Sequence, residues 1–264
     1  MRKKLYLTGI EKKAGKSFVS LGLLSALKEL QPDLHCFKLF TEADTEQVHL
    51  LEDIAQHQIA HLMDINQAIA LMREHAEDLV ANVLEKTQMS HDKFSYYEGS
   101  DFESDNDVFE YQFNLTLAYQ LNCDVILVVS AKDRTLDHTL SVLNTALDLS
   151  KQNHTRVVGV ILNRVPSTHE AEALHLLKQK YSQFHFLAVI PEFEALANPS
   201  MQDIATRLQA NILCGENELH RQVRQFTIAA KTVGNFLQSR VDRSGMLIIT
   251  PDDRIDILLG SLLA

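Results

Sequence analysis

The sequence predicts an α/β protein: a mostly parallel sheet with helices on both faces, followed by a partial second α/β unit. Three observations carry that prediction. Short β-rich runs alternate with longer segments whose apolar residues recur three and four positions apart. Several short runs, above all Val125-Ile126-Leu127-Val128-Val129, are continuously apolar, as a strand covered on both sides requires. Pro32 and Pro166 fall between the periodic segments, where they stop or delay a helix.

In chain order, strands are predicted over Lys4–Thr8, Leu34–Lys38, Lys93–Tyr97, Asp124–Ser130, Val157–Asn163 and Phe186–Val189. Helices are predicted over Ser17–Leu30, Phe113–Leu121, Leu136–Lys151, His169–Tyr181 and Met201–Leu208. From Thr45 to Lys86 the spacing of Leu and Ile, with no Gly or Pro, predicts two helices inserted between the second and third strands. Glu98 to Glu110 carries Glu98, Asp101, Glu103, Asp105, Asp107 and Glu110 among Gly and Ser residues and reads as an exposed loop. A boundary is expected near Gly215, separating residues 1–214 from 215–264. Beyond it a strand is expected over Gln222–Ile228, a helix over Ala230–Ser239, a strand over Met246–Thr250 and a helix over Asp252–Leu263. These elements are thin for an independent core. The chain stops on the apolar run Leu258-Leu259-Gly260-Ser261-Leu262-Leu263-Ala264, so the sequence reads as a piece of a longer protein.

Composition narrows the function. With 45% hydrophobic and 23% charged residues the chain has material for a core. Thirty-five acidic against 25 basic residues give a net charge of -10, which repels a nucleic-acid backbone but leaves a compact phosphate ligand open. Cys36, Cys123 and Cys214 are odd in number and far apart, with no disulfide or CxxC spacing. The apolar runs are too short to span a membrane, and Met1-Arg2-Lys3-Lys4 leads into a strand rather than a signal peptide; a cytoplasmic protein is expected.

The strongest chemical signal is Thr8-Gly9-Ile10-Glu11-Lys12-Lys13-Ala14-Gly15-Lys16-Ser17, lying between the first strand and the first helix. Glycines permit the tight turn, and the first helical N–H groups and the helix dipole face a phosphate. Lys16 adds a point charge, and Ser17 a hydroxyl for Mg²⁺. Five residues separate Gly9 from Gly15, one more than in the common pattern.

This loop, the second strand ending Phe37-Lys38, the third ending Tyr97-Glu98-Gly99 and the fifth ending Asn163-Arg164 resemble dethiobiotin synthetase and its relatives. The stretch Ser244-Gly245-Met246-Leu247-Ile248-Ile249-Thr250-Pro251-Asp252-Asp253-Arg254 looks like the opening of a DRTGG domain. Together they resemble the N-terminal arrangement of long phosphate acetyltransferases, whose catalytic domain would follow Ala264. The resemblance implies ATP or another nucleotide bound with Mg²⁺ by Gly9, Lys12, Lys13, Ala14, Gly15, Lys16, Ser17 and Lys38. It further implies Asn163 at the adenine edge, Ser17 and Glu98 at the metal, and Thr41 near a hydroxyl position. It implies no catalytic residue here: the region would regulate and assemble its own C-terminal acetyltransferase domain, as a homo-oligomer, without nucleic acid or membrane.

Departures from the synthetases matter. Lys12 and Lys13 replace acidic or hydroxyl residues in mid-loop, and Ser100-Asp101-Phe102-Glu103 replaces a Gly-rich stretch, which argues against a stand-alone ligase. Pro166 stands where a guanine-reading Asp would be, which favours ATP over GTP. Retention of Lys16 argues against a vestigial loop. His49, Asp53, His57 and His61, four apart, would share a helix face, but Gln58 stands where a zincin has its glutamate, and a solvated face is the better reading. Asp133 and Arg134, after the fourth strand, lie where a subunit contact or a ligand cleft would form.

Overall fold

A computed structural model describes residues 3–41, 52–53, 60–87, 94–100, 107–193, 198–230, 232–238 and 245–263. The chain divides into two units, Met1–Glu192 and Phe193–Ala264, earlier than the Gly215 boundary read from the sequence.

In the first unit the elements run β1 (Lys4–Gly9), α1 (Lys16–Leu30), β2 (His35–Thr41), β3 (Ala60–Asp64), α2 (Ile65–Glu74), α3 (Ala76–Thr87) and β4 (Ser95–Glu98). They continue through α4 (Asp107–Gln120), β5 (Asp124–Ser130), α5 (Leu136–Gln152), β6 (Arg156–Val165), α6 (Glu170–Lys180) and β7 (Phe186–Pro191). The seven strands form one parallel sheet in the order β3-β2-β4-β1-β5-β6-β7. Alternation along each strand feeds two cores. Leu5 and Leu7 of β1 join Val19 and Leu24 of α1 on one face. Tyr6 joins the opposite face with Ala68, Leu79, Leu115, Leu143 and Leu177 of α2 to α6. Helices on both sides explain why β5 is buried at every residue and why its interior, Val125-Ile126-Leu127-Val128-Val129, is unbroken hydrophobic sequence.

Two expectations are corrected. Within the stretch expected to hold two inserted helices, α2 and α3 are preceded by a strand, β3, which extends the sheet beyond β2 through pairs such as Phe37 with Ala60 and Phe40 with Met63. A short apolar run cannot be assigned by period alone. The Asp64 carboxylate then marks the switch to helix, accepting from the N–H groups of Asn66 at 2.8 Å and Gln67 at 3.4 Å. The second correction concerns the acidic stretch after β4. Glu98, Ser100 and Glu110 are buried, and α4 begins at Asp107. Lys93, Asp101, Glu103, Asp105, His49 and His57 lie outside the described residues, and with them the expected histidine face.

The second unit holds α7 (Met201–Leu208), β8 (Gln225–Ile228), α8 (Val233–Gln238), β9 (Met246–Ile249) and α9 (Ile255–Leu263). Ser200 and Asp203 form a reciprocal cap on α7. Strands β8 and β9 pair in parallel, and Ala229, Phe236 and Ile257 form a small core with Ile248. Phe226, Ile228 and Ile249 are exposed. No helix among the described residues is long and apolar enough to cross a membrane.

Burial separates the thiols. Cys36 and Cys123 are buried and Cys214 is exposed, and desolvation pushes the Cys36 thiol up to about 12. Alkylation of the native protein near pH 8 is therefore expected to modify Cys214 alone, with Cys36 and Cys123 reacting only after denaturation. Mass spectrometry of the labelled protein checks this; equal labelling of Cys36 under native conditions would contradict the packing.

Candidate functional site

Parallel order places the C-terminal ends of β2, β4, β1, β5 and β6 side by side along one edge of the sheet. Each end delivers a side chain. From β1 the chain turns through Gly9 to Ala14, with Lys13 at φ 54° and Gly15 at φ 88°, into the N-terminus of α1. Gly15 is the N-cap and brings no side chain to the first N–H groups of α1, a helix terminus of the kind at which phosphates bind. Lys16, at 4% relative exposure, and Ala14 are buried; Lys12 is half-buried and Lys13 exposed.

Three predicted residues meet at one point. The Ser17 hydroxyl donates to Glu98 Oε1 at 2.8 Å, and Lys38 Nζ lies 3.4 Å from the same oxygen. Register explains the second contact, since Lys38 of β2 pairs with Glu98 of β4. Glu98 is 4% exposed, and its Oε2 is buried with no hydrogen-bond partner among the described residues. A desolvated carboxylate oxygen left unpaired is costly in a resting fold and is explained by a cation. Hard oxygen donors from a serine and a carboxylate suit Mg²⁺, which takes few protein ligands and completes its shell with phosphate and water. The residues present therefore fit the metal that the sequence implied. Thr41, at the end of β2, is buried.

Asn163 reaches the loop from β6. Its Nδ2 donates to the Ala14 carbonyl at 2.8 Å, while Oδ1 carries no hydrogen bond among the described residues. The side chain thus fastens the loop, a role that sequence reasoning missed.

Two further groups were also missed. Asn114 of α4, 1% exposed, accepts at Oδ1 from the Tyr6 hydroxyl at 2.8 Å and the Ser100 N–H at 2.9 Å, and its Nδ2 donates to Ser100 Oγ at 2.9 Å and the Glu110 carbonyl at 3.0 Å. It fixes the backbone immediately after Glu98. A Cβ on Gly99 would sit 2.6 Å from Asn114 Oδ1, so this close approach admits only glycine. An asparagine inside the apolar run Phe113-Asn114-Leu115 was the available signal. The other group is Glu11, whose carboxylate is held by Arg134. Tyr6 and Phe37 stack on Tyr97, at ring-centroid distances of 6.3 and 4.9 Å, and tie β1, β4 and β2 together below the site. Burial pushes the Tyr6 phenol well above its usual range, so it serves as a neutral donor.

Two families match successive parts of the chain. A family described as AAA domain matches residues 3–200, and a family described as DRTGG domain matches residues 203–264. A phosphate acetyltransferase of Nitratidesulfovibrio vulgaris is 31% identical over 280 residues, covering 99% of this chain and 39% of the relative. One of Synechocystis is 29% identical over 277 residues, covering 100% of this chain and 40% of the relative. The chain thus spans about 40% of the length of the curated relatives it matches. A Cyanothece McdA–ATP complex overlays with a TM-score of 0.46 at 14% identity, covering 74% of this chain and 85% of that one. With a phosphate loop opening a seven-stranded parallel sheet and the family match running from residue 3 to residue 200, the chain belongs to the AAA-domain family and continues into a DRTGG domain.

Proposed function

We propose that this chain is the nucleotide-binding, regulatory and assembly region of a longer phosphate acetyltransferase, and that its phosphate loop binds ATP with Mg²⁺. Support for the parent activity is the end-to-end match to phosphate acetyltransferases of more than twice this length. Acetyl transfer between CoA and phosphate then belongs to the acetyltransferase domain, with this region acting on it within a cytoplasmic homo-oligomer.

The observation that carries the nucleotide reading is the unpaired Glu98 Oε2 beside Ser17 and Lys38, at the mouth of the Gly15-Lys16-Ser17 turn. In this reading the backbone N–H groups at the start of α1 and the Lys16 and Lys38 ammonium groups hold the phosphates, with Lys12, Lys13 and Ala14 along the loop. Ser17 and Glu98 would hold Mg²⁺, which would supply positive charge to offset that of the phosphates. Asn163 offers Oδ1 to the adenine 6-amino group, which guanine replaces with an acceptor, while Nδ2 stays on Ala14.

Calorimetric titration tests the reading. Mg²⁺-ATP is expected to bind the purified chain and to raise its Tm by mass action, with GTP binding more weakly. Lys16→Ala is expected to weaken ATP at least about tenfold through loss of a charge-assisted contact. Equal ATP affinity of wild type and Lys16→Ala, or tighter GTP binding by the wild type, would overturn the corresponding assignment.

A further inference from the structure

Glu11 poses a problem that the nucleotide reading alone does not solve. It places a carboxylate in the middle of a loop that has to attract phosphate, two residues after Gly9. The structure shows how that charge is held. Arg134 Nη1 donates to Glu11 Oε1 at 2.8 Å and Arg134 Nη2 lies 2.6 Å from Glu11 Oε2, a two-pronged pairing that occupies both carboxylate oxygens. The Ser130 N–H adds a third donor to Oε1 at 3.3 Å. Arg134 is aimed by a local turn at the end of β5. There Ser130 Oγ accepts from the Lys132 N–H, Asp133 takes a left-handed φ of 57°, and the Arg134 N–H closes onto the Ala131 carbonyl. Both partners are largely shielded, with side-chain exposures of 28% for Arg134 and 16% for Glu11. A pair so placed is screened less by salt than a surface pair.

We propose that Arg134 is a positioning residue for the phosphate loop. Its guanidinium clasps Glu11, draws the mid-loop carboxylate against the end of β5 and cancels its charge, so that bound nucleotide phosphates meet Lys12, Lys13, Lys16 and the helix terminus without an opposing anion. The inference rests on the nucleotide reading above and deepens it. The clasp and the Asn163–Ala14 bond tie the loop to the ends of β5 and β6, the former near its beginning and the latter near its end. Arg134 has a tethering and an electrostatic effect, and the electrostatic one is the larger, because the Asn163–Ala14 bond still holds the loop when the clasp is lost. Removing it leaves Glu11 both untethered and uncompensated beside the phosphates. Removing Glu11 as well takes away the repelling charge.

A charge-balance cycle on the full chain tests this, with Mg²⁺-ATP affinity by calorimetry and Tm without nucleotide measured for wild type, Arg134→Ala, Glu11→Gln, the double variant and Arg134→Lys. Arg134→Ala is expected to lower ATP affinity about tenfold or more through the exposed like charge. Glu11→Gln is expected to change it by about threefold at most, and the double variant to recover most of what Arg134→Ala loses. Arg134→Lys, which keeps the charge without the fork, is expected to fall between wild type and Arg134→Ala. Tm without nucleotide is expected to be similar for Arg134→Ala and the double variant, so recovery of binding cannot be read as recovery of fold. Wild-type binding with unchanged affinity in Arg134→Ala would overturn the clasp alone, as would a double variant no better than Arg134→Ala. Absence of ATP binding by the wild type would overturn the nucleotide reading instead, and the clasp's role with it.

Discussion

Gly15→Val is expected to abolish Mg²⁺-ATP binding and to lower the unfolding free energy by roughly 2–3 kcal/mol, a sum of about 1–2 for forcing a branched side chain into left-handed backbone and about 1 for a broken hydrogen bond. Gly15 sits at φ 88°, and a Cβ there would lie 2.1 Å from Asn163 Nδ2. Asn163 cannot move aside without leaving the Ala14 carbonyl, so a single added group spoils the helix start and releases the loop together. Urea denaturation and calorimetric titration of the variant check both parts. Wild-type ATP affinity in Gly15→Val would show that the nucleotide does not use this turn.

The second large effect lies at the opposite end of the sheet. Arg156 Nε donates to Asp124 Oδ1 at 2.6 Å and its Nη2 pairs with Oδ2, joining the first residues of β5 and β6. The Asp124 side chain is 1% exposed and that of Arg156 50% exposed. Arg156→Ala therefore removes both guanidinium donors from a carboxylate that cannot move into water. Breaking a buried pair from one side costs about 3–5 kcal/mol, and the half-solvated guanidinium reduces that to roughly 2–3 kcal/mol here. Chemical denaturation is expected to show this loss with ATP affinity within about twofold of wild type once the folded fraction is accounted for. A loss below about 0.5 kcal/mol, the range of an ordinary surface substitution, would mean that water already reaches Asp124.

Legibility in the sequence followed from how local each signal is. The phosphate loop, β5 and α7 were readable because spacing, burial on both faces and capping are written within a few neighbouring residues; Asp124–Ser130 and Met201–Leu208 have the predicted bounds. Glu98 could be picked out by resemblance, but the bare sequence showed one acid among six, and only the register of β4 between β2 and β1 buries it. β3 was hidden because its short run carries no decisive period and becomes a strand by pairing with β2. Glu11 and Arg134 are far apart in the chain, and their pairing depends on a turn geometry at Asp133 that composition does not encode. Asn114 was overlooked because a polar residue on a helix is ordinary until the helix face it occupies is known to be buried.

The strand order also bears on when the site comes into being. β1 lies between β4 and β5, so the first strand made finds its neighbours only after Ser95 and Asp124 have joined the chain. Loop closures of that span come late and slowly. Until they are complete, Ser17 and Lys38 have no Glu98 opposite them and Ala14 has no Asn163. A ligand that needs all of these contacts has little to hold in a half-formed sheet. Its stabilisation therefore falls mainly on the unfolding rate: bound nucleotide would lengthen the lifetime of the finished fold while leaving the speed of its formation nearly unchanged.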